Sequence, residues 1–189
     1  RVDALLISGD VYTVRDRPLG AHLRFSAAAS RLEEAGIQIL IAPGRDFEQD
    51  DWSASLTWPA NVVCFGERQE RIAIGGDNAL NATGLGYSGG EPGQRALSRL
   101  APVAGASYNV SMAASDPANL DLDVLARRNF DYWAFGGRQS NYLRPALGPV
   151  IAAPGPAQGI GPAETGPRGV YLVNLPASHI ANAQFVPLA

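Results

Sequence analysis

The chain opens on Val2-Asp3-Ala4-Leu5-Leu6-Ile7-Ser8-Gly9-Asp10, an almost unbroken apolar run closed by Gly-Asp. A continuous run of this kind is a strand covered on both faces. Residues 20–35 follow, rich in Ala and with apolar positions at helical spacing; Gly36 stands where a C-terminal cap belongs. Residues 37–42, Ile-Gln-Ile-Leu-Ile-Ala, form the next strand. Strand, helix and strand within this length make a βαβ crossover, which implies a parallel pair.

Working outward, residues 61–65 and 71–75 read as two further short strands. Residues 75–93 are rich in Gly and Asn and read as a long surface loop. Their Gly84-Leu85-Gly86 starts no dinucleotide or Walker pattern, because nothing after it completes one. Residues 93–100 and 119–128 read as helices, and 108–112 and 130–135 as strands. Residues 149–167 are Pro- and Gly-rich and read as irregular. Strands at 169–175 and 184–188 close the chain, the last ending at Pro187 or just before it. Early βαβ units followed by strand-rich halves predict two sheets packed between helices. The chain has no repeat, heptad or domain linker.

At 189 residues the chain is long enough for one domain with a real core. Its apolar fraction, 46%, is ordinary for a globular protein. No apolar run approaches the ~20 residues that cross a bilayer, which predicts a protein without a membrane partner. The formal charge of −3 gives no bulk support for binding a phosphate backbone. All 15 basic residues are Arg, which excludes a P-loop lysine, a Schiff base and a lysine general base. An anion contact must then come from Arg forks or backbone amides. The single cysteine, Cys64, leaves no internal disulfide and fits a reducing, cytoplasmic compartment and a buried apolar role.

Four strand ends carry the chemistry. Gly9-Asp10 is followed by Val11-Tyr12. The second strand runs into Ala42-Pro43-Gly44-Arg45-Asp46. A third segment reads Met112-Ala113-Ala114-Ser115. The fourth reads Phe130-Asp131-Tyr132-Trp133-Ala134-Phe135-Gly136-Gly137-Arg138-Gln139. Downstream lie Ala153-Pro154-Gly155-Pro156-Ala157-Gln158-Gly159 and a segment from Glu164 to Val173. In this order the segments resemble the calcineurin-like metallophosphoesterases, specifically the DNA-repair exonuclease branch, from Val2 to Leu188. The resemblance implies an α/β fold of metallophosphoesterase type: a two-sheet β-sandwich of mixed sheets and βαβ units, flanked by helices. It also implies that residues 1–189 form one such domain. The family's first strand with its Asp-x-His motif would lie before Arg1, and its C-terminal capping domain is absent from the sequence.

The family holds two manganese or other divalent ions, and the resemblance places its ligands residue by residue. Asp10 matches the bridging aspartate and is the one ligand that survives. Gly44 stands at the ligand Asn and Arg45 at the catalytic His, and Asp46 matches the last residue of that motif. Ala114, Gly137 and Gln139 stand at three ligand histidines. Gly and Ala offer no donor, and Arg does not release a proton near neutral pH. One carboxylate does not hold a two-metal cluster. The expectation is therefore a domain without the metal cofactor, catalytically inactive, with a binding or scaffolding role. Its partner would be nucleic acid or a protein of a repair complex; the oligomeric state is left open. The alternative is an active metal-dependent phosphodiesterase or exonuclease whose remaining ligands lie outside this chain.

Arg45 and Arg138 are candidate anion-binding residues at the same loops. They are either solvent-facing substitutions or guanidinium replacements for the metals' charge, pairing with Asp10 or gripping a phosphate. On that view Asp10 is a partly buried anion in need of a partner. Other candidates are poorer. His22 and His179, the only histidines, read as surface or packing residues. Ser8, Ser111 and Ser115 have no triad partner. Asp50-Asp51 reads as an acidic turn, and Trp52, Trp58 and Trp133 as core aromatics before stacking platforms.

Overall fold

The computed structural model describes residues 2–12, 19–45, 57–75, 80–86, 90–137, 140–144, 148–159, 166–176 and 181–188. The βαβ unit forms as the sequence predicts. Strand β1 (Ala4–Ser8) pairs in parallel with β2 (Gln38–Ala42), in the register Ala4 to Gln38 through Ser8 to Ala42. Helix α1 (Leu19–Glu34) crosses between them. His22, Phe25, Ala29 and Leu32 recur at spacings of three and four, so they share one helix face. That face packs on Ile39 and Ile41 of β2. Gly36, at φ 70°, ends the helix: its amide donates to the Glu33 carbonyl and that of Ile37 to the Leu32 carbonyl, both at 2.8 Å. This is the Schellman pattern, and only glycine enters the left-handed region at no cost.

β3 (Val62–Cys64) extends the sheet beyond β2, again in parallel. A second, six-stranded sheet has the order β4-β5-β6-β7-β9-β8. Its strands are β4 (Glu70–Ile74), β5 (Leu80–Leu85), β6 (Tyr108–Ala113), β7 (Tyr132–Phe135), β8 (Tyr142–Arg144) and β9 (Val150–Ala153). β5, β6, β7 and β9 run parallel, and β4 and β8 lie antiparallel on the two edges. A hairpin of β10 (Gly169–Asn174) and β11 (Asn182–Pro187) adds a two-stranded antiparallel piece. Two short helices, α2 (Gln94–Leu97) and α3 (Leu122–Ala126), cover the outer face of the large sheet. Asp121 caps α3 by accepting from the amides of Asp123 and Val124, each at 3.1 Å.

Strand alternation sorts the side chains into three apolar clusters. Leu40 and Ala42 of β2 face the large sheet, where they meet Ala82, Val110, Met112, Ala134, Val150 and Ala152; Tyr171 and Val173 of β10 join from the hairpin. Ile39 and Ile41 face α1 instead. On the far side, Trp133, Phe135, Ile151 and Ala153 pack with Leu97 and Leu125 of α2 and α3. The architecture is a mixed-sheet α/β sandwich with helices on its outer faces.

Several stretches differ from the sequence reading, among them β8, where no strand was expected. Residues 75–93 contain a fully paired inner strand, β5, which lies between β4 and β6. Its Asn81, Thr83 and Gly84 imitate loop composition, yet Gly84 is required there: the Phe65 ring lies where a Cβ would be. Residues 149–167 likewise begin with a buried strand, β9, which four apolar residues are too short to announce among prolines. The expected helices are also shorter. A 3-10 turn (Pro117–Asn119) and α3 stand in place of one helix over 119–128.

Candidate functional site at the strand ends

The carboxyl ends of β1, β2, β6 and β7 meet at one edge of the sandwich. Gly9 donates from its amide to the Ala42 carbonyl at 2.8 Å, which ties the end of β1 to the end of β2. Ser8 donates from its hydroxyl to the Ala134 carbonyl at 2.8 Å, which ties β1 to β7 across the gap between the sheets. Gly136 donates to the Ala113 carbonyl at 3.1 Å, joining β7 to β6. A Cβ at Gly136 would run into the Ser8 carbonyl, so the two sheets touch here backbone to backbone. This is the edge at which open α/β sheets carry their sites.

Asp10 and Gly44 are brought together. A Cβ added at Gly44 would lie 2.7 Å from Asp10 Oδ1 and 2.9 Å from Oδ2. The Asp10 carboxylate therefore occupies the volume into which any side chain at position 44 would project. Asp10 is exposed, not the partly buried anion that the sequence suggested. Its turn begins with Gly9 at φ 129°, a conformation that L side chains rarely adopt. Arg45 follows Gly44 and is exposed.

Ala114 is buried, at 4% exposure, at the end of β6. Its neighbour Ser115 is also buried and donates to the Pro92 carbonyl at 2.7 Å, a structural bond. Gly137 has φ 74°, and a Cβ there would lie 3.0 Å from the Asp116 amide nitrogen. Asp116, which the sequence reading passed over, thus comes next to this edge. It caps the 3-10 turn, its Oδ1 accepting from Ala118 N at 2.8 Å. The signal for it was Asp116-Pro117, an aspartate before a proline at the first position of a turn. Asp46, Arg138, Gln139, His179, Trp52 and Asp50-Asp51 lie outside the described residues.

The described residues at this edge do not fit a pair of divalent cations. Gly44, Ala114 and Gly137 bring no donor atom, and Asp116 already serves its own turn. Among the described residues no group of three His, Cys, Asp or Glu side chains converges in a way that could hold a metal. His22, a packing residue as the sequence allowed, lies on the core face of α1. Its Nδ1 is 3.0 Å from the Tyr12 hydroxyl and its ring is 4.9 Å from that of Trp58. Burial holds its pKa below the ordinary value of 6.5. Cys64 is half-buried under α1; burial first, and then the Glu70 carboxylate, push its thiol up to about 11. A thiol in that range is inert at neutral pH. No described helix is long and apolar enough to cross a membrane.

No family model matches the chain. The chain is 26% identical over 187 residues to the "Uncharacterized metallophosphoesterase YhaO" of Bacillus subtilis (strain 168). The aligned region covers 92% of this chain but 46% of that protein, so the chain spans about half the length of the curated relative it matches. A metallophosphoesterase is thus among its relatives, which supports the phosphoesterase family that the motifs resemble.

Proposed function

We propose that this domain is a degenerate phosphoesterase of the DNA-repair exonuclease type, one that serves binding or scaffolding in place of hydrolysis. The observation that carries this reading is the pair Asp10 and Gly44. The surviving carboxylate lies over the α-carbon of the residue that should extend a metal ligand beside it. Ala114, Gly137 and Gln139 add no imidazole. Arg45 stands at this edge and the resemblance assigns Arg138 to the same site; a guanidinium fork recognises a phosphate or a nucleic-acid end without a metal. The partner in this reading is nucleic acid or a protein of a repair complex.

The test is dialysis of the purified chain against Mn²⁺ followed by elemental analysis, with calorimetric titration of inorganic phosphate alongside. The reading expects less than one tightly held ion per chain, and phosphate binding that Arg45→Ala weakens. Two ions per chain, lost in Asp10→Ala, would establish the second reading instead. That reading is a metal-dependent phosphodiesterase, and the name of the Bacillus subtilis relative favours it.

A further inference from the structure

The outer face of the large sheet carries a row of polar side chains sealed away from solvent. Thr83 on β5 pairs in register with Ser111 on β6, and Ser111 with Trp133 on β7. Alternation turns all three away from the inter-sheet core, to the side where Trp133 meets Leu97, Leu100 and Leu125. Neighbouring strands lie about 4.8 Å apart, so the row is roughly 10 Å long. Asn81 stands two residues before Thr83 on the same face. Exposure is 0% at Thr83 and Ser111, 1% at Trp133 and 5% at Asn81. Yet Thr83 Oγ1, Ser111 Oγ, Trp133 Nε1 and Asn81 Nδ2 make no hydrogen bond among the described residues.

Nearby polar groups behave differently. Ser115 bonds the Pro92 carbonyl, and Asn109 bonds both the amide and the carbonyl of Val103. Four of the unpartnered atoms thus share this one row, while Asn61 Oδ1 and Arg128 Nε lie elsewhere. Buried polar groups are almost always satisfied by protein or by ordered water. An indole N–H and an amide NH₂ only donate, whereas a hydroxyl both donates and accepts. No hydrogen bond joins Thr83, Ser111 and Trp133 to one another, so the indole N–H has no acceptor within the row. The guest must accept from nitrogen and donate to oxygen. A cation is repelled by the donors, and an apolar molecule satisfies none of them.

We propose that Asn81, Thr83, Ser111 and Trp133 form an internal hydration site, in which ordered water links β5, β6 and β7 beneath the helical layer. The site accounts for polar residues in the middle of a buried parallel strand, where apolar side chains would otherwise be expected. Water fits because it offers both roles and takes two to four partners.

The experiment uses the ¹⁵N-labelled full chain, with the Trp133 indole resonance assigned by its loss in Trp133→Phe. A long-lived water gives a cross-peak to the indole proton whose sign differs between laboratory-frame and rotating-frame measurements. Absence of that cross-peak overturns the proposal. Thr83→Val and Ser111→Ala provide a second readout. Each removes an anchor of the water and is expected to lower Tm and weaken the cross-peak. In a dry site each would remove an unsatisfied hydroxyl, and a rise in Tm would overturn the proposal in the same way.

Discussion

Between the sheets, β2, β6 and β7 contribute Leu40, Met112 and Ala134 to a closed apolar core. Just past their ends the same strands lead into Gly44, Ala114 and Gly137, and β1 leads into Asp10. The core is specified by side-chain volume and the edge by its lack. The Phe65 ring fills the space above Gly84, whereas the space above Gly44 is filled by the Asp10 carboxylate. Folding and ligand-holding are thus separate demands on the same strands. The alternation that keeps the sandwich intact does not depend on which residues stand at the strand ends.

If that division is right, the largest effects belong to the core. Phe65→Ala removes a side chain at 1% exposure that packs against β5. It is expected to cost about 3–5 kcal/mol, as large-to-small aromatic changes in cores do. Denaturant unfolding checks it, and a loss under 1 kcal/mol would show that the core is looser than its burial implies. Gly136→Ala comes next. It pushes a methyl group into the Ser8 carbonyl where the two sheets touch. Overpacking of this kind costs roughly 1–3 kcal/mol. A neutral outcome would mean that the strand-end edge is soft and can shift.

Much of this was legible from the chain. The βαβ unit was readable because Leu40 and Ile41 alternate within an apolar run and Gly36 marks the helix end. The strands that lead to Gly44, Ala114 and Gly137 were readable because they keep their apolar pattern. β5 was not, since Asn81, Thr83 and Gly84 look like loop residues until β4 and β6 are seen on either side of them. Nor was the placement of Asp10. The positive-φ turn at Gly9, φ 129°, and the approach of the Asp10 carboxylate to Gly44 follow from the fold and not from residue identity alone.

A pH titration probes the packing beside the Asp10 loop. Burial lowers the pKa of His22 from 6.5, so the folded state favours the neutral ring that packs between Tyr12 and Trp58. The unfolded chain binds a proton as pH falls below 6.5, whereas folded His22 does so only at lower pH. Stability is therefore fully present above pH 6.5 and declines as pH falls, until it passes the folded pKa. His22→Phe should flatten that part of the curve relative to the parent. Identical pH profiles for the two proteins would mean that His22 is not held neutral.

The smallest expected effect separates the two accounts of Arg45. Had Asp10 been a buried anion, loss of its counter-charge would cost several kcal/mol as an order of magnitude. Asp10 and Arg45 are both exposed, and exposed ion pairs contribute about 0–1 kcal/mol because water already screens them. Arg45→Ala should therefore change stability by no more than about 0.5 kcal/mol, the range of ordinary surface substitutions. Arg71→Ala is no inert control, since the Arg71 guanidinium donates to the Ala101 carbonyl at 3.3 Å. Arg24, exposed on α1, is the better reference. If Arg45→Ala melts well below Arg24→Ala, the guanidinium is part of the scaffold and the strand-end edge is under structural constraint after all. If the two melt together and Arg45→Ala still weakens phosphate binding, Arg45 serves a ligand and not the fold. That pairing of results would place function at the edge that the core no longer needs.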